Sequence, residues 1–169
     1  PHLDSLAARG ARFTNAYTNS PICVPARASL ATGRYVHQIG YWDNGIAYDG
    51  RVPSWGHRLR EQGFQVDSIG KLHFRGAEYD HGFSQEIDPL YVVEGQGDVL
   101  GCIRDNPPLR NGRPGIEGAG PGESTYLQYD QNNADEGIKW LERHGQGERP
   151  WALFLSLVCP HPPYISPPD

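Results

Sequence analysis

Apolar residues in the first third of the chain follow helical spacing, then alternate, and then return to helical spacing. Residues 3–7 place Leu and Ala on one helical face, and this predicts a helix that ends at Gly10. Alternation over residues 13–17 predicts a short strand. Pro25 suits the first turn of a second helix, because its missing N–H would be unpaired there, and Gly33 is the predicted end of that helix.

The middle of the chain has a clear helix–strand pattern followed by a polar stretch. Ser54 is a predicted N-cap for a helix that ends at Gly63, and residues 64–69 then predict a strand. Residues 84–125 are rich in glycine and proline. We expect loops there, in the form of an insertion with little regular structure.

The last part of the chain predicts one further helix and one further strand. A helix is expected over residues 130–144, with Ala134, Ile138 and Leu141 directed inward. The continuous apolar run 151–158 predicts a strand buried on both faces. This order of helices and strands predicts an α/β fold with a largely parallel central sheet flanked by helices. In such sheets ligands bind beyond the carboxyl ends of the strands.

Composition excludes several classes of partner. The chain has 169 residues, a hydrophobic share of 37% and a mean hydropathy of −0.61. No stretch approaches the ~20 apolar residues of a membrane span. A net charge of −5 argues against nucleic acid, whose phosphates require clustered cations. Three cysteines are too few for a disulfide framework or a zinc site, and they leave the compartment open.

Five residues form a candidate catalytic group. Cys23 lies at a predicted helix start with Arg27 within reach, and both features favour bound anions. Lys71, His73 and His161 follow the predicted strand ends. Hydrolysis of a sulfate or phosphate ester requires a nucleophile, cations for the anionic oxygens and an acid for the leaving group. These residue types meet that requirement.

Four segments resemble those of one enzyme family. CVPARASLATGR at 23–34 is similar to the signature of the type I sulfatases, in the alkaline-phosphatase-like superfamily. GKLH at 70–73 and PHPPY at 160–164 resemble the later lysine–histidine and histidine elements of that family. Residues 1–10 resemble the helix that precedes its signature. The resemblance implies an alkaline-phosphatase-like fold and identifies the chain as part of a sulfatase catalytic domain.

The resemblance also implies a mechanism. A separate formylglycine-generating enzyme would oxidise Cys23 to formylglycine (3-oxoalanine), which hydrates to a geminal diol. One hydroxyl attacks sulfur and displaces the alcohol, and the other then expels sulfate and restores the aldehyde. Arg27 would hold the diol and Lys71 would bridge the diol and the sulfate. His73 would take the proton when sulfate leaves, and His161 would bind the ester oxygen and protonate the leaving group.

A divalent cation, Ca²⁺ or Mg²⁺, would polarise the sulfate. Of its ligands in the family, only the modified Cys23 has a counterpart in this chain. Residues 1–169 are therefore expected to be a fragment of a single catalytic domain, without the first strand and the C-terminal half, and to be inactive in isolation.

The substrate is less defined than the reaction. Asn44 lies where choline-sulfatase-like members and related phosphonate monoester hydrolases carry an asparagine that contacts substrate. A sulfate monoester of choline, an aryl alcohol or a carbohydrate fits the motifs, and Asn44 with residues 70–74 favours choline-sulfatase-like relatives. Two alternatives stay open: a formylglycine-dependent phosphonate or phosphate ester hydrolase, and a truncated, inactive relative that only binds an anion.

Overall fold

The computed structural model describes residues 2–92 and 116–168. Its helices are α1 (His2–Arg9), α2 (Cys23–Thr32), α3 (Val36–Ile39), α4 (Trp55–Glu61) and α5 (Thr125–His144). Its strands are β1 (Gln65–Lys71), β2 (Gln85–Leu90), β3 (Gly120–Pro121), β4 (Trp151–Ser156) and β5 (Ile165–Ser166). No helix in these two ranges is long and apolar enough to cross a membrane.

Among residues 2–92 and 116–168, the larger sheet has three parallel strands in the order β2–β1–β4. β1 is central and pairs with β4 from Gln65 opposite Trp151 to Gly70 opposite Ser156. β3 and β5 form a separate parallel pair. The parallel sheet with flanking helices confirms the predicted α/β class, and it brings the carboxyl ends of β1 and β4 to the same edge.

Burial of β1 explains its central position. Val66 and Ile69 are fully buried, as is Asp67, whose Oδ2 accepts hydrogen bonds from Trp140 Nε1 at 2.8 Å and Gln65 Nε2 at 2.7 Å. A buried carboxylate requires such donors, since its desolvation is otherwise costly. Asp67 thus fixes α5 against the central strand through Trp140.

Helix termini follow the sequence predictions at several points. Ser54 caps α4, because its Oγ accepts a hydrogen bond from the His57 backbone N–H at 3.3 Å. α2 begins at Cys23, includes Pro25 in its first turn and ends at Gly33, which has a left-handed φ of 67°. Gly145 follows α5 as predicted.

The region after α1 differs from the prediction. Residues 13–17 form no strand, and Phe13 and Tyr17 are 82% and 91% exposed. The predicted apolar face of α1 is also exposed, since Leu3 is 81% and Leu6 62% accessible. Alternation alone does not produce a strand when no neighbouring strand pairs with it.

The loop-rich prediction for 84–125 is wrong at its start, because Gln85–Leu90 form β2. Pairing with β1 stabilises this segment. Its largely polar sequence lacks the alternation of apolar and polar residues that predicts a strand. Gly120–Pro121 form β3, and residues 93–115 of the predicted insertion lie outside the described part of the chain.

The inward face of α5 also differs from the prediction. Ile138 and Leu141 are 57% and 45% exposed, so assigning them to the interior was wrong. The buried positions are instead Asn133, Gly137 and Trp140 with Leu127 and Asp130. β4 is half-exposed over most of its length rather than buried on both faces, because it lies at the edge of the sheet.

Candidate active site

The first component of the site is the N-terminus of α2. Cys23 is its first residue, and Ile22 at the N-cap supplies no capping side chain. Asn44 takes over that role from a distant loop, since its Oδ1 accepts a hydrogen bond from the Val24 N–H at 3.0 Å. Asn44, predicted to contact substrate, therefore lies next to Cys23, and its contact with substrate stays a prediction.

Arg27 connects α2 to the sheet. It lies four residues after Cys23 and so on the same helical face. Its Nη1 donates to the Lys71 carbonyl at 2.7 Å and to Ser156 Oγ at 3.1 Å. Burial lowers its pKa, and a guanidinium remains charged nonetheless. Arg27 is thus a cation fixed by the ends of both β1 and β4.

The end of β1 is distorted where Lys71 leaves the sheet. Gly70 has φ 89°, the register with β2 shifts between Ile69 and Lys71, and His73 has φ 57°. The Lys71 side chain is buried, with 6% exposure. Burial first, and then the charge of Arg27, lower the pKa of the Lys71 ammonium. Cys23 acts in the opposite direction on the pKa values of both cations.

His73 lies in a strongly cationic environment. Burial, followed by the charges of Lys71, Arg27 and His161, lowers its pKa to about 4. The ring is therefore neutral at pH 7 and able to accept a proton. Its Nδ1 is buried and has no hydrogen-bond partner within residues 2–92 and 116–168.

His161 lies in the turn that follows β4. Its ring is exposed, and Nδ1 lies 2.9 Å from the Pro162 carbonyl oxygen. A carbonyl oxygen only accepts hydrogen bonds, so Nδ1 carries the proton and Nε2 is left for a substrate. His161 is also one of the groups that lower the pKa of His73.

The structure thus brings Cys23, Arg27, Lys71, His73 and His161 to one edge of the sheet. Sequence reasoning missed three supporting residues: Ser156, which accepts from Arg27, and Asp130 and Tyr126 on α5, which contact the turn of His161. The position of Ser156 at the end of an apolar strand was the only available signal for the first. The other two depend on how α5 crosses the sheet.

Metal binding requires more donors than this group provides. Cys23 is the predicted ligand from this chain. Within the described ranges, no group of three or more His, Cys, Asp or Glu side chains could hold a metal ion. A single ligand cannot hold a metal ion, so a metal at Cys23 would need donors beyond those of the described residues.

Ser54, His57 and Asp80 form a serine–histidine–aspartate cluster that does not act as a catalytic triad. Ser54 Oγ lies 2.8 Å from His57 Nδ1, and His57 Nε2 lies 3.6 Å from Asp80. However, His57 Nδ1 accepts the Ser54 backbone N–H at 3.0 Å, and Ser54 Oγ donates to the His81 carbonyl at 2.8 Å. Ser54 is also 3% exposed. Ser54 and His57 thus form the N-terminal cap of α4.

Known proteins that match this chain agree on one family. The chain is 34% identical to the choline-sulfatase of Rhizobium meliloti over 98% of its own length and 34% of that relative. It is 32% identical to the arylsulfatase K of Rattus norvegicus over 99% of its length and 27% of that relative. It therefore spans about a third of the length of these relatives.

Solved structures share the fold of this chain. The phosphonate monoester hydrolase of Agrobacterium radiobacter aligns with a TM-score of 0.65 and 26% identity over 99% of this chain and 37% of that one. A putative sulfatase from Bacteroides fragilis has the same fold, with a TM-score of 0.62 and 23% identity over 95% of this chain and 38% of that one. The sulfatase family model matches residues 1–169, and the chain belongs to the sulfatase family.

Proposed function

We propose that the full-length protein containing this chain hydrolyses a sulfate monoester to an alcohol and sulfate, with a formylglycine derived from Cys23 as nucleophile. The observation that supports this most is the position of Cys23, Arg27, the buried Lys71 and two histidines at one sheet edge, with Arg27 fixed by hydrogen bonds. Formylglycine and a divalent metal are general features of the sulfatase family. Relatives named choline-sulfatase and arylsulfatase favour sulfate as the group that is cleaved.

The modified Cys23 would supply a hydrated aldehyde whose hydroxyl attacks sulfur. Arg27 then holds this residue and stabilises its negative charge, because its guanidinium is fixed by two hydrogen bonds before substrate arrives. Lys71 would bridge this residue and the sulfate oxygens. Its ammonium is buried, so its attraction for sulfate is screened less than that of a surface lysine.

The two histidines lie in different environments. His73 is neutral at pH 7 and accepts the proton released when sulfate leaves. When its ring is protonated, His161 donates the Nε2–H to the ester oxygen and passes this proton to the departing alcohol. Their different environments, buried among cations for His73 and exposed for His161, separate these roles.

A second candidate is hydrolysis of a phosphonate or phosphate ester at the same residues. It is favoured by the structural likeness to a phosphonate monoester hydrolase. By resemblance, Lys71 and His73 favour hydrolysis of a sulfate ester over this second candidate. The third candidate is an inactive relative that only binds an anion.

The test is steady-state kinetics of the full-length protein, produced together with a formylglycine-generating enzyme. Sulfate monoesters of choline, a phenol and a sugar are compared with a phosphonate monoester and a phosphate ester. We expect the highest kcat/KM for a sulfate and loss of turnover in Cys23→Ala. A clear preference for the phosphonate would support the second candidate. Sulfate binding without turnover of any ester would support the third.

A further inference from the structure

The turn that carries His161 depends on a carboxylate from another element. Residues 157–163 form neither helix nor strand, so no backbone ladder fixes them. Asp130 on α5 provides two hydrogen bonds instead. Its Oδ1 accepts from the Val158 N–H at 2.7 Å, and its Oδ2 accepts from the Cys159 N–H at 2.8 Å. The Asp130 residue is 8% exposed, so these bonds are shielded from water.

The connection continues from Asp130 to His161 itself. The His161 N–H donates to the Val158 carbonyl at 3.1 Å, which attaches the histidine to the residue whose N–H Asp130 holds. The His161 ring packs edge-on against Tyr126, with centroids 5.8 Å apart and planes at 84°. Tyr126 and Asp130 are four residues apart on α5 and share one face. One helix therefore contacts both the backbone and the ring of this turn.

A carboxylate is well suited to this task. The two backbone donors are consecutive, and each meets its own oxygen. Asparagine at the same position has one oxygen and an NH₂ group, and that NH₂ would face an N–H donor. Asp130→Asn therefore keeps the size of the side chain and loses at least one of the two bonds.

We propose that Asp130 is the positioning residue for His161, holding the turn after β4 so that the imidazole meets the leaving-group oxygen of the ester. The inference rests on the proposed function, because it takes His161 as the group that binds this oxygen. Asp130 does not touch the substrate itself and acts through residues 158–161.

The experiment uses the full-length modified enzyme with Asp130→Asn, and with Asp135→Asn as the control. Asp135 is on the same helix and exposed, so it carries the same chemical change away from the turn. Each variant is assayed with 4-nitrophenyl sulfate, whose leaving group needs little protonation, and with an alkyl sulfate, whose leaving group needs it strongly. Amide hydrogen exchange of a peptide covering 157–161 is measured in parallel.

We expect Asp130→Asn to accelerate exchange in that peptide and to lower kcat for the alkyl sulfate by about 10–100-fold, since small misplacement of a catalytic group has effects of this size. The loss for 4-nitrophenyl sulfate should be much smaller, and Asp135→Asn should match the parent enzyme. Equal losses for the two substrates would overturn the proposal, because a general structural defect does not discriminate between leaving groups.

A double-mutant cycle separates this inference from the proposed function. If Asp130 acts through His161, adding Asp130→Asn to His161→Ala should cause no further loss. A full additional loss would overturn the positioning role while leaving His161 in place. An unchanged rate in His161→Ala alone would instead overturn the role of His161.

Asp130→Glu keeps the test decisive if the asparagine variant fails to fold. It retains both oxygens and displaces them by one methylene. The expected result is again a loss that is larger for the alkyl sulfate, and equal losses would again overturn the proposal.

Discussion

Replacing Gly70 by alanine tests whether the end of β1 must approach β4 as closely as the structure indicates. Gly70 has φ +89°, and a Cβ there would lie 2.3 Å from the Ser156 carbonyl oxygen. Gly63 is a matched control, because it has φ +85° and a Cβ there would meet nothing within 4 Å. The two substitutions share the backbone strain and differ in the steric conflict.

The strain of a left-handed non-glycine residue is about 1–2 kcal/mol, so Gly63→Ala should lower the free energy of unfolding by that amount. Gly70→Ala should cost about 1–3 kcal/mol more, because the Ser156 carbonyl must move to admit the methyl group. Ser156 also accepts a hydrogen bond from Arg27, so this movement should disturb the site as well.

Urea unfolding of the full-length enzyme and kcat/KM for a sulfate monoester measure the two effects. We expect Gly63→Ala to keep its activity, and Gly70→Ala to lose both stability and at least tenfold in kcat/KM. Equal unfolding free energies and equal activity for the two variants would refute the close approach of β1 and β4.

Two further predictions concern buried polar groups. The pKa of His73 falls from 6.5 to about 4 on folding, so the unfolded state binds more protons between these pH values. The contribution of His73 to the free energy of unfolding is fully present above pH 6.5 and is lost as the pH falls toward 4. The loss is at most about 3 kcal/mol, and access of solvent to the ring reduces it. The unfolding free energy should therefore fall further between pH 7.5 and pH 4.5 in the parent than in His73→Asn. The control is His37→Asn, at an exposed position. Parallel curves for the parent and His73→Asn would contradict this prediction. Trp140→Phe removes a hydrogen bond to the buried Asp67 and should lower the free energy of unfolding in urea by about 1–3 kcal/mol. The control Trp42→Phe, at a 62% exposed position, should lower it much less. Equal effects of the two substitutions would contradict the role of Asp67.

Local signals in the sequence predicted the elements that depend on neighbouring residues. The cap at Ser54, the start of α2 near Pro25 and the strand before Lys71 need only nearby side chains and a period of apolar residues. The parallel arrangement follows from the alternation of these elements. The position of Lys71 and His73 at the end of β1 was predictable for the same reason.

Contacts between distant segments were not predictable in this way. Asn44 caps α2 from twenty residues away, and Asp130 holds a turn twenty-eight residues further along the chain. The inward face of α5 carries Asn133 and Gly137, so a count of apolar residues selected Ile138 instead. Polar residues on a buried face are identified only when their partners in the fold are known.

Peptide mass spectrometry of the Cys23 segment directly tests whether the nucleophile is a formylglycine derived from Cys23. The active full-length protein is produced with a formylglycine-generating enzyme, digested, and compared with protein made without that enzyme. We expect that the active preparation carries the aldehyde, with sulfur replaced by oxygen and a lower peptide mass, and that ester hydrolysis rises with the modified fraction. Full hydrolytic activity in protein whose Cys23 peptide carries only the unmodified thiol would contradict it.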